Sequence, residues 1–146
     1  MTRSEVENRQ SKIGNRRSKI LVIEDNEQNL YLITFILEKN GYEVVQARDG
    51  REGIELAGRV SPTLILLDIQ LPVMDGYAVA RALRSNPALA DVPVVAVTSY
   101  AMAGDRERVL AAGCTGYIEK PINPETFISE IEQYLPAQLS DRGGES

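Results

Sequence analysis

Several polar residues stand directly after short apolar runs of the chain, and their types suit the chemistry of a phosphate group. These residues are Glu24, Asp25, Asp68, Thr98 and Lys120. The carboxylates can bind Mg²⁺, a hard cation that takes oxygen ligands and often shares them with substrate phosphates. A lysine can neutralise phosphate charge, and a threonine hydroxyl can donate a hydrogen bond. Together these residue types indicate a carboxylate that accepts a phosphoryl group.

The apolar runs that precede these residues predict the strands of a buried parallel sheet. Three runs are unbroken, at residues 20–23, 64–67 and 94–97, as is typical of parallel strands that are covered on both faces. Weaker strands are predicted at residues 43–46 and 115–118. Each strand precedes a stretch that can be helical, and five such repeats predict an α/β doubly wound fold.

Capping residues mark where two of the helices begin. Asn26 is predicted to cap the first helix, because its side chain can accept a hydrogen bond from a free backbone N–H group. Asn123 followed by Pro124 predicts the start of the last helix, since proline is favoured at the first helical position. Pro136 is predicted to end that helix.

The composition places these elements in one acidic domain. The chain has 146 residues, of which 43% are hydrophobic, and this is the usual size of a single domain. We expect the domain at residues 19–137, between a flexible basic tail at residues 1–18 and a flexible tail at residues 138–146. Residues 1–19 carry six basic and two acidic residues, whereas residues 20–146 carry 10 basic and 19 acidic ones. An acidic body argues against direct DNA binding, which needs a basic face.

The residue counts exclude other classes of site. The chain has one cysteine, Cys114, and no histidine, so an internal disulfide and the usual zinc sites are excluded. No apolar run approaches the ~20 residues that span a bilayer, and the polar amino terminus lacks the apolar segment of a signal peptide. These features predict a cytoplasmic protein without a membrane contact.

The order of the strands decides which polar residues meet. In an open α/β sheet, ligands bind beyond the carboxyl ends of the strands, where the strand order reverses. For order 2-1-3-4-5 that point lies between strands one and three, so Glu24, Asp25 and Asp68 are expected to converge. Three close carboxylates repel one another unless a cation offsets their charge. We expect Mg²⁺ there, bound directly by Asp25 and Asp68 and through water by Glu24.

The whole set resembles the motifs of the response-regulator receiver domain, the phosphorylated module of two-component signalling. Beyond the five polar residues, the resemblance rests on residues 71–76 (Leu-Pro-Val-Met-Asp-Gly) and on residues 117–121 (Tyr-Ile-Glu-Lys-Pro). It covers roughly residues 19–136. The resemblance implies a flavodoxin-like sandwich of three layers, built on a five-stranded parallel sheet of order 2-1-3-4-5.

The resemblance implies a phosphoryl site with a metal ion. Asp68 is the implied phosphoacceptor. Mg²⁺ is implied to be bound by Asp25, Asp68 and the backbone carbonyl of Gln70. Glu24 completes the acidic pocket, and a glutamate in place of aspartate at this position is a mild variation. Gln70 and Tyr100 flank the pocket and tune the hydrolysis of the acyl phosphate.

A switch is implied by the same resemblance. Thr98 moves toward the phosphoryl group while Tyr117, the switch aromatic, turns inward. Lys120 holds the phosphoryl group, and the peptide bond between Lys120 and Pro121 is expected to be cis, which costs little before a proline.

The resemblance also implies partners and an output. A histidine kinase or a histidine phosphotransfer protein is the expected donor, since this chain has no histidine of its own. The expected output is a protein contact made by the fourth helix, the fifth strand and the fifth helix, at residues 102–112 and 115–135, with a homodimer on the same face. We expect slow self-dephosphorylation and no turnover of metabolites. The initial methionine favours a complete small protein without an output domain.

Other classes of protein share parts of this residue set. A P-loop nucleotidase also carries an acidic strand end, but its motif Gly-x-x-x-x-Gly-Lys-Ser/Thr is absent. A hydrolase with an aspartate nucleophile would use similar chemistry, but Asp68-Ile69-Gln70 lacks the second acid of such enzymes. A phosphorylation-independent binding module, or a receiver fragment of a hybrid kinase, stays open as an alternative.

Overall fold

Five parallel strands form the central sheet of the computed structural model, which describes residues 18–99 and 103–135. The strands are β1 (Lys19–Ile23), β2 (Glu43–Ala47), β3 (Leu64–Asp68), β4 (Val94–Thr98) and β5 (Gly116–Glu119). Their order across the sheet is β2-β1-β3-β4-β5, and every neighbouring pair is parallel. The predicted strand order is confirmed, with its reversal between β1 and β3.

A helix follows each strand along the chain. The helices are α1 (Glu27–Lys39), α2 (Gly50–Val60), α3 (Gly76–Arg84), α4 (Ala103–Ala111) and α5 (Phe127–Glu132), and a 3₁₀ turn at Pro87–Leu89 precedes β4. Asn26 caps α1 as its sequence predicts, because its side chain accepts a hydrogen bond from the N–H group of Asn29 at 2.8 Å.

The fifth helix begins later than its sequence predicts. The prediction from Asn123 and Pro124 is wrong for the start, since the regular helix begins at Phe127. The backbone carbonyl of Asn123 accepts hydrogen bonds from the N–H groups of both Thr126 and Phe127, at 3.1 and 2.9 Å. The residues between therefore form a turn that leads into the helix. The predicted end at Pro136 lies outside the described residues, and the helix ends at Glu132.

The apolar side chains of the sheet divide between two helical layers, because successive residues of a strand point to opposite faces. On one face, Ile20 and Val22 of β1 pack in a cluster with residues of α1 and α5. On the other face, Leu21 and Ile23 pack in a cluster with residues of α2, α3 and α4. The predicted three-layer sandwich is thus confirmed, with the sheet buried on both sides.

Arg84, the last residue of α3, attaches the loop between α4 and β5 to the rest of the domain. Its Nε atom donates to the carbonyl oxygen of Gly113 at 2.7 Å, and Nη1 donates to that of Leu89 at 2.8 Å. Its Nη2 atom donates to the Oγ1 atom of Thr115 at 3.3 Å. Gly113 has a φ of 107°, and a Cβ atom there would meet the Arg84 side chain. The close approach therefore requires glycine at this position.

The ends of the described chain lie near the predicted domain boundaries. At the first described position, Ser18 is buried, and its carbonyl accepts a hydrogen bond from the N–H group of Glu43 at 3.0 Å. The tails predicted at residues 1–18 and 138–146 otherwise lie outside the described residues. Within the described ranges, no helix has the length and apolar character needed to cross a membrane.

Candidate functional site

The carboxyl ends of β1 and β3 bring three acidic residues together at the predicted point. Asp68 is the last residue of β3, and Glu24 and Asp25 directly follow β1. The pairing of Ile23 with Leu67 places the residues after each of them side by side. One carboxylate oxygen from each of the three acids lies within 4.8 Å of the others. The predicted convergence of Glu24, Asp25 and Asp68 is therefore present in the structure.

The three acids differ in their access to water. Glu24 is 1% exposed and Asp68 is 3% exposed, whereas Asp25 is exposed. They lie in an open cleft of about 510 Å³, so a ligand can reach Asp68 from outside. The residues that line this cleft are Glu24, Asp25, Asn26, Glu27, Asn29, Asp68, Gln70, Ser99 and Lys120. We call this cleft the acidic cleft.

Lys120 supplies positive charge to the acidic cleft. Its Nζ atom lies 3.3 Å from Oδ1 of Asp68 and 3.5 Å from Oε1 of Glu24. Lys120 directly follows β5, and its backbone N–H group donates to the carbonyl oxygen of Thr98 at 2.9 Å, which continues the pairing of β5 with β4. The Lys120–Pro121 peptide bond is cis, as the resemblance implied.

The buried, charged surroundings of the cleft change the pKa of Glu24. The pKa of Glu24 is raised to about 7, first because burial penalises the charged carboxylate and second because of the nearby charge of Asp68. The charge of Lys120 acts in the opposite direction and lowers this pKa. Oε2 of Glu24 accepts a hydrogen bond from the backbone N–H group of Asn26 at 3.2 Å. Oε1 is buried and has no hydrogen-bond partner among the described residues.

Backbone amides connect Asp68 with the loops around it. The N–H group of Gln70 donates to Oδ1 of Asp68 at 2.9 Å. The side-chain Oε1 of Gln70 in turn accepts a hydrogen bond from the backbone N–H group of Ser99 at 3.4 Å. This hydrogen bond connects the loop after β3 with the end of β4. Ser99 is not among the site residues predicted from the sequence, because a backbone amide leaves no signal in residue type.

Two of the predicted site residues do not line the acidic cleft. Thr98 ends β4 and is only 1% exposed. Tyr117 lies in β5 and is half-buried, and it lines a different cleft of about 280 Å³ together with Glu119, Glu130 and Tyr134. Tyr100, the second predicted flanking residue, lies outside the described residues.

The acidic cleft has the properties of a site for a hard divalent cation. It offers three carboxylate oxygens at close range, and one buried oxygen, Oε1 of Glu24, has no hydrogen-bond partner among the described residues. A divalent cation would offset the charge that raises the pKa of Glu24. Lys120, beside Asp68, can in turn neutralise an anionic group bound there. The arrangement can therefore hold a metal ion and a phosphate group at one carboxylate.

Comparison with known proteins agrees with this chemistry. The family model of the response regulator receiver domain matches residues 20–132. The polar-differentiation response regulator DivK of Brucella anthropi is 44% identical over 116 residues, which cover 80% of this chain and 94% of that protein. DivK proteins of Brucella ovis and Brucella suis match to the same extent.

Solved structures show the same likeness in three dimensions. The chemotaxis protein CheY4 of Vibrio cholerae has a TM-score of 0.78 at 30% identity, and the match covers 81% of this chain and 98% of CheY4. A second match is the receiver domain of the sensor histidine kinase PA1611 of Pseudomonas aeruginosa, with a TM-score of 0.75 at 35% identity. This match covers 80% of this chain and 96% of that domain, whose structure has a magnesium ion in the active-site cleft. The chain belongs to the response regulator receiver domain family and is a receiver of two-component signalling.

Proposed function

We propose that Asp68 is the residue that accepts the phosphoryl group. Its position at the end of β3 in the acidic cleft, beside the Lys120 ammonium group, is the observation that carries this proposal. A carboxylate oxygen of Asp68 forms a bond to phosphorus while the bond from phosphorus to a histidine nitrogen of the donor breaks. The electron pair of that bond stays on the nitrogen, and the product is an acyl phosphate.

The acids around Asp68 supply the metal site of this proposal. Asp25 and Asp68 would hold Mg²⁺ directly, together with the backbone carbonyl of Gln70, and Glu24 would contribute through water. When bound, Mg²⁺ neutralises charge on the phosphoryl oxygens and holds them close to the carboxylate. The proximity of the three carboxylates and the magnesium ion in the PA1611 receiver domain support this assignment.

Lys120 and Thr98 serve the phosphoryl group from the other side. Lys120 neutralises one of its oxygens as a point charge, and the Thr98 hydroxyl moves toward it to donate a hydrogen bond. The hydrogen bond from the Lys120 N–H group to the Thr98 carbonyl, which ties the two strand ends together, supports this pairing of roles.

Tyr117 is the switch aromatic that responds to this movement. In the parallel register Tyr117 pairs with Ala96, and Thr98 lies two residues further along β4. Side chains two residues apart in a strand share a face, so Thr98 and Tyr117 lie on the same face of the sheet. Movement of Thr98 toward Asp68 then makes room for the Tyr117 ring to turn inward.

The donor and the reader of the signal are proteins. Receivers of two-component systems interact with histidine kinases or phosphotransfer proteins, and we infer that one of these is the donor, because the chain has no histidine. A downstream protein contacts the face formed by α4, β5 and α5, which we call the output face, and a homodimer forms there too. The exposed Leu110 of α4 and the cleft beside Tyr117 support this choice of face.

The remaining proposals concern the setting of the domain. The receiver spans residues 19–137, and it works in the cytoplasm without direct DNA or membrane contact. It dephosphorylates itself slowly and does not turn over metabolites. The basic tail mainly aids solubility, so deletion of residues 1–17 should leave partner affinity unchanged.

Incubation with acetyl phosphate and Mg²⁺, followed by intact mass spectrometry, tests the proposed function. We expect one phosphoryl adduct, cleaved by hydroxylamine, which disappears in Asp68→Asn and in magnesium-free buffer. Asp91→Asn is the matched control, because Asp91 is an exposed aspartate before β4, at the opposite end of the sheet. An adduct that persists in Asp68→Asn would overturn the assignment. If no adduct forms, transfer from a phosphorylated kinase decides between a strict donor requirement and a phosphorylation-independent binding module.

A further inference from the structure

The helix α4 is held to the domain by little apolar surface. Between residues 104 and 111, Val109 is the buried side chain, and most of its neighbours in the helix are exposed. Two arginines of α4 lie instead over aromatic rings of neighbouring elements. The guanidinium carbon of Arg108 lies 4.2 Å from the centre of the Tyr77 ring, and that of Arg106 lies 5.1 Å from the centre of the Tyr117 ring.

The two tyrosine rings differ in how deeply they are buried. Tyr77 lies in the first turn of α3, is 9% exposed, and has a buried hydroxyl without a hydrogen-bond partner among the described residues. Its ring is part of the core cluster. Tyr117 is half-buried, lies in an edge strand, and packs against the rim of the same cluster. The Arg108 contact is therefore made to a buried ring, whereas the Arg106 contact is made to a ring that is partly exposed at the edge of the sheet.

We propose that Arg106 is a positioning residue for Tyr117, whose ring it holds at the surface in the unphosphorylated protein. The inward turn of the ring then requires that this contact breaks, so Arg106 opposes the phosphorylated conformation. This inference rests on the proposed function, in which Asp68 is phosphorylated and Tyr117 is the switch aromatic.

The chemistry of the contact sets the size of the effect. A guanidinium group over a ring face is attracted by the ring quadrupole, and at an exposed site this attraction changes an equilibrium constant by about two- to five-fold. A contact that is made only with the ring at the surface shifts the equilibrium by its full strength, because it stabilises only one of the two states. Loss of the contact should therefore raise the inward population by that factor.

Fluorine NMR of protein labelled with 3-fluorotyrosine tests this inference directly. The chain has six tyrosines, and the Tyr117 signal is assigned by its loss in Tyr117→Phe. In unphosphorylated Arg106→Gln, we expect this signal to move toward its position in the phosphorylated wild type, by a two- to five-fold change in the population ratio. Arg106→Lys, which keeps a cation over the ring, should lie between the two.

Arg108→Gln is the matched control, because it removes the same charge from the same helix but from the Tyr77 ring. The inference is overturned if Arg106→Gln leaves the Tyr117 signal unmoved, or if Arg108→Gln moves it equally. Circular dichroism checks that each variant is folded. Mass spectrometry of the same samples reports the adduct on Asp68, so failure of the proposed function is seen separately, as a missing adduct in the wild type.

Discussion

The ammonium group of Lys120 lies 3.5 Å from Oε1 of Glu24, a buried carboxylate atom that has no hydrogen-bond partner among the described residues. The same ammonium group faces Asp68 at 3.3 Å, so one cation is shared by two buried carboxylates. Burial and the charge of Asp68 raise the pKa of Glu24 to about 7. The protonation of Glu24 therefore connects pH with the stability of the metal-free protein.

Without divalent cations, we expect the free energy of unfolding to fall as the pH rises from about 5 to about 8. Glu24 binds its proton more tightly in the folded protein than in the unfolded chain, where its pKa is near 4.5. Its contribution is fully present below that value and is lost as the pH rises through about 7. One pKa unit corresponds to about 1.4 kcal/mol, so the loss is on the order of 1–3 kcal/mol.

Urea unfolding in EDTA across this pH range measures the effect. The Glu24→Gln variant should show a flatter profile and should be the more stable protein at pH 8, because it has no charge to bury. A profile with the same slope in Glu24→Gln and in the wild type would assign the pH dependence to other groups.

Magnesium should stabilise the folded protein at about pH 8, because it binds the folded state and not the unfolded one. At ~100 times its dissociation constant the gain is about 2.7 kcal/mol. Thermal unfolding with and without MgCl₂ measures it. The Asp25→Asn variant should lose most of this stabilisation, whereas the control Asp91→Asn should keep all of it. Equal stabilisation of both variants by magnesium would place the ion elsewhere.

Replacement of Gln70 by leucine is expected to change the lifetime of the acyl phosphate. Leucine keeps much of the volume but removes the oxygen that accepts the Ser99 N–H group at 3.4 Å, so the amide beside the phosphoryl group gains a different partner. The decay is followed by mass spectrometry after removal of the donor. The exposed Gln28 provides the control Gln28→Leu. Unchanged decay in variants of both Gln70 and Tyr100 would refute this prediction.

Substitution of Gly76 by alanine should destabilise the domain and disturb the loop after Asp68. A Cβ atom at this position would meet backbone atoms of Ile69 and Asp68, which have no freedom to move aside. Overpacking of this kind costs about 1–3 kcal/mol. Gly104→Ala is the contrasting variant, since nothing lies within 4 Å of its Cβ position, and alanine in a helix is favoured over glycine by up to about 1 kcal/mol. Urea unfolding compares the two, and equal effects would contradict the packing argument.

Phosphorylation should change backbone hydrogen exchange at the output face. We expect the largest changes in α4, β5 and α5, because Tyr117 and its contact with Arg106 join these elements to the switch. The exchange in β2, at the other edge of the sheet, is the internal reference. Phosphorylated protein with unchanged exchange in α4 and β5 would contradict the proposed output face.

The strands could be predicted from the sequence because their apolar residue types indicate that they are buried. Unbroken apolar runs such as residues 64–67 have few alternatives to a buried strand, and the polar residue after each run then falls at one edge of the sheet. The start of α5 was harder to predict. Asn123 and Pro124 suit a helix start, but the local hydrogen bonds of Asn123 form a turn first, and sequence patterns do not distinguish the two.

The acidic side chains of the site were predictable for the same reason, whereas its other contacts were not. The Ser99 amide acts through the backbone, which every residue type shares. The positions of Arg106 and Arg108 over their rings depend on how α4 packs against β5 and α3, and no spacing along the chain contains that information. The raised pKa of Glu24 depends equally on burial by distant segments.

The hydrogen bonds of Arg84 also determine how α4 is able to move. They attach Gly113 and Thr115 to α3, so the carboxyl end of α4 is fixed while its amino end, near Ser99, is not held by this arginine. A rigid helix attached in this way would tilt about its carboxyl end. With nine residues its length is about 13 Å, so a tilt of about 10° would move its amino end by roughly 2 Å.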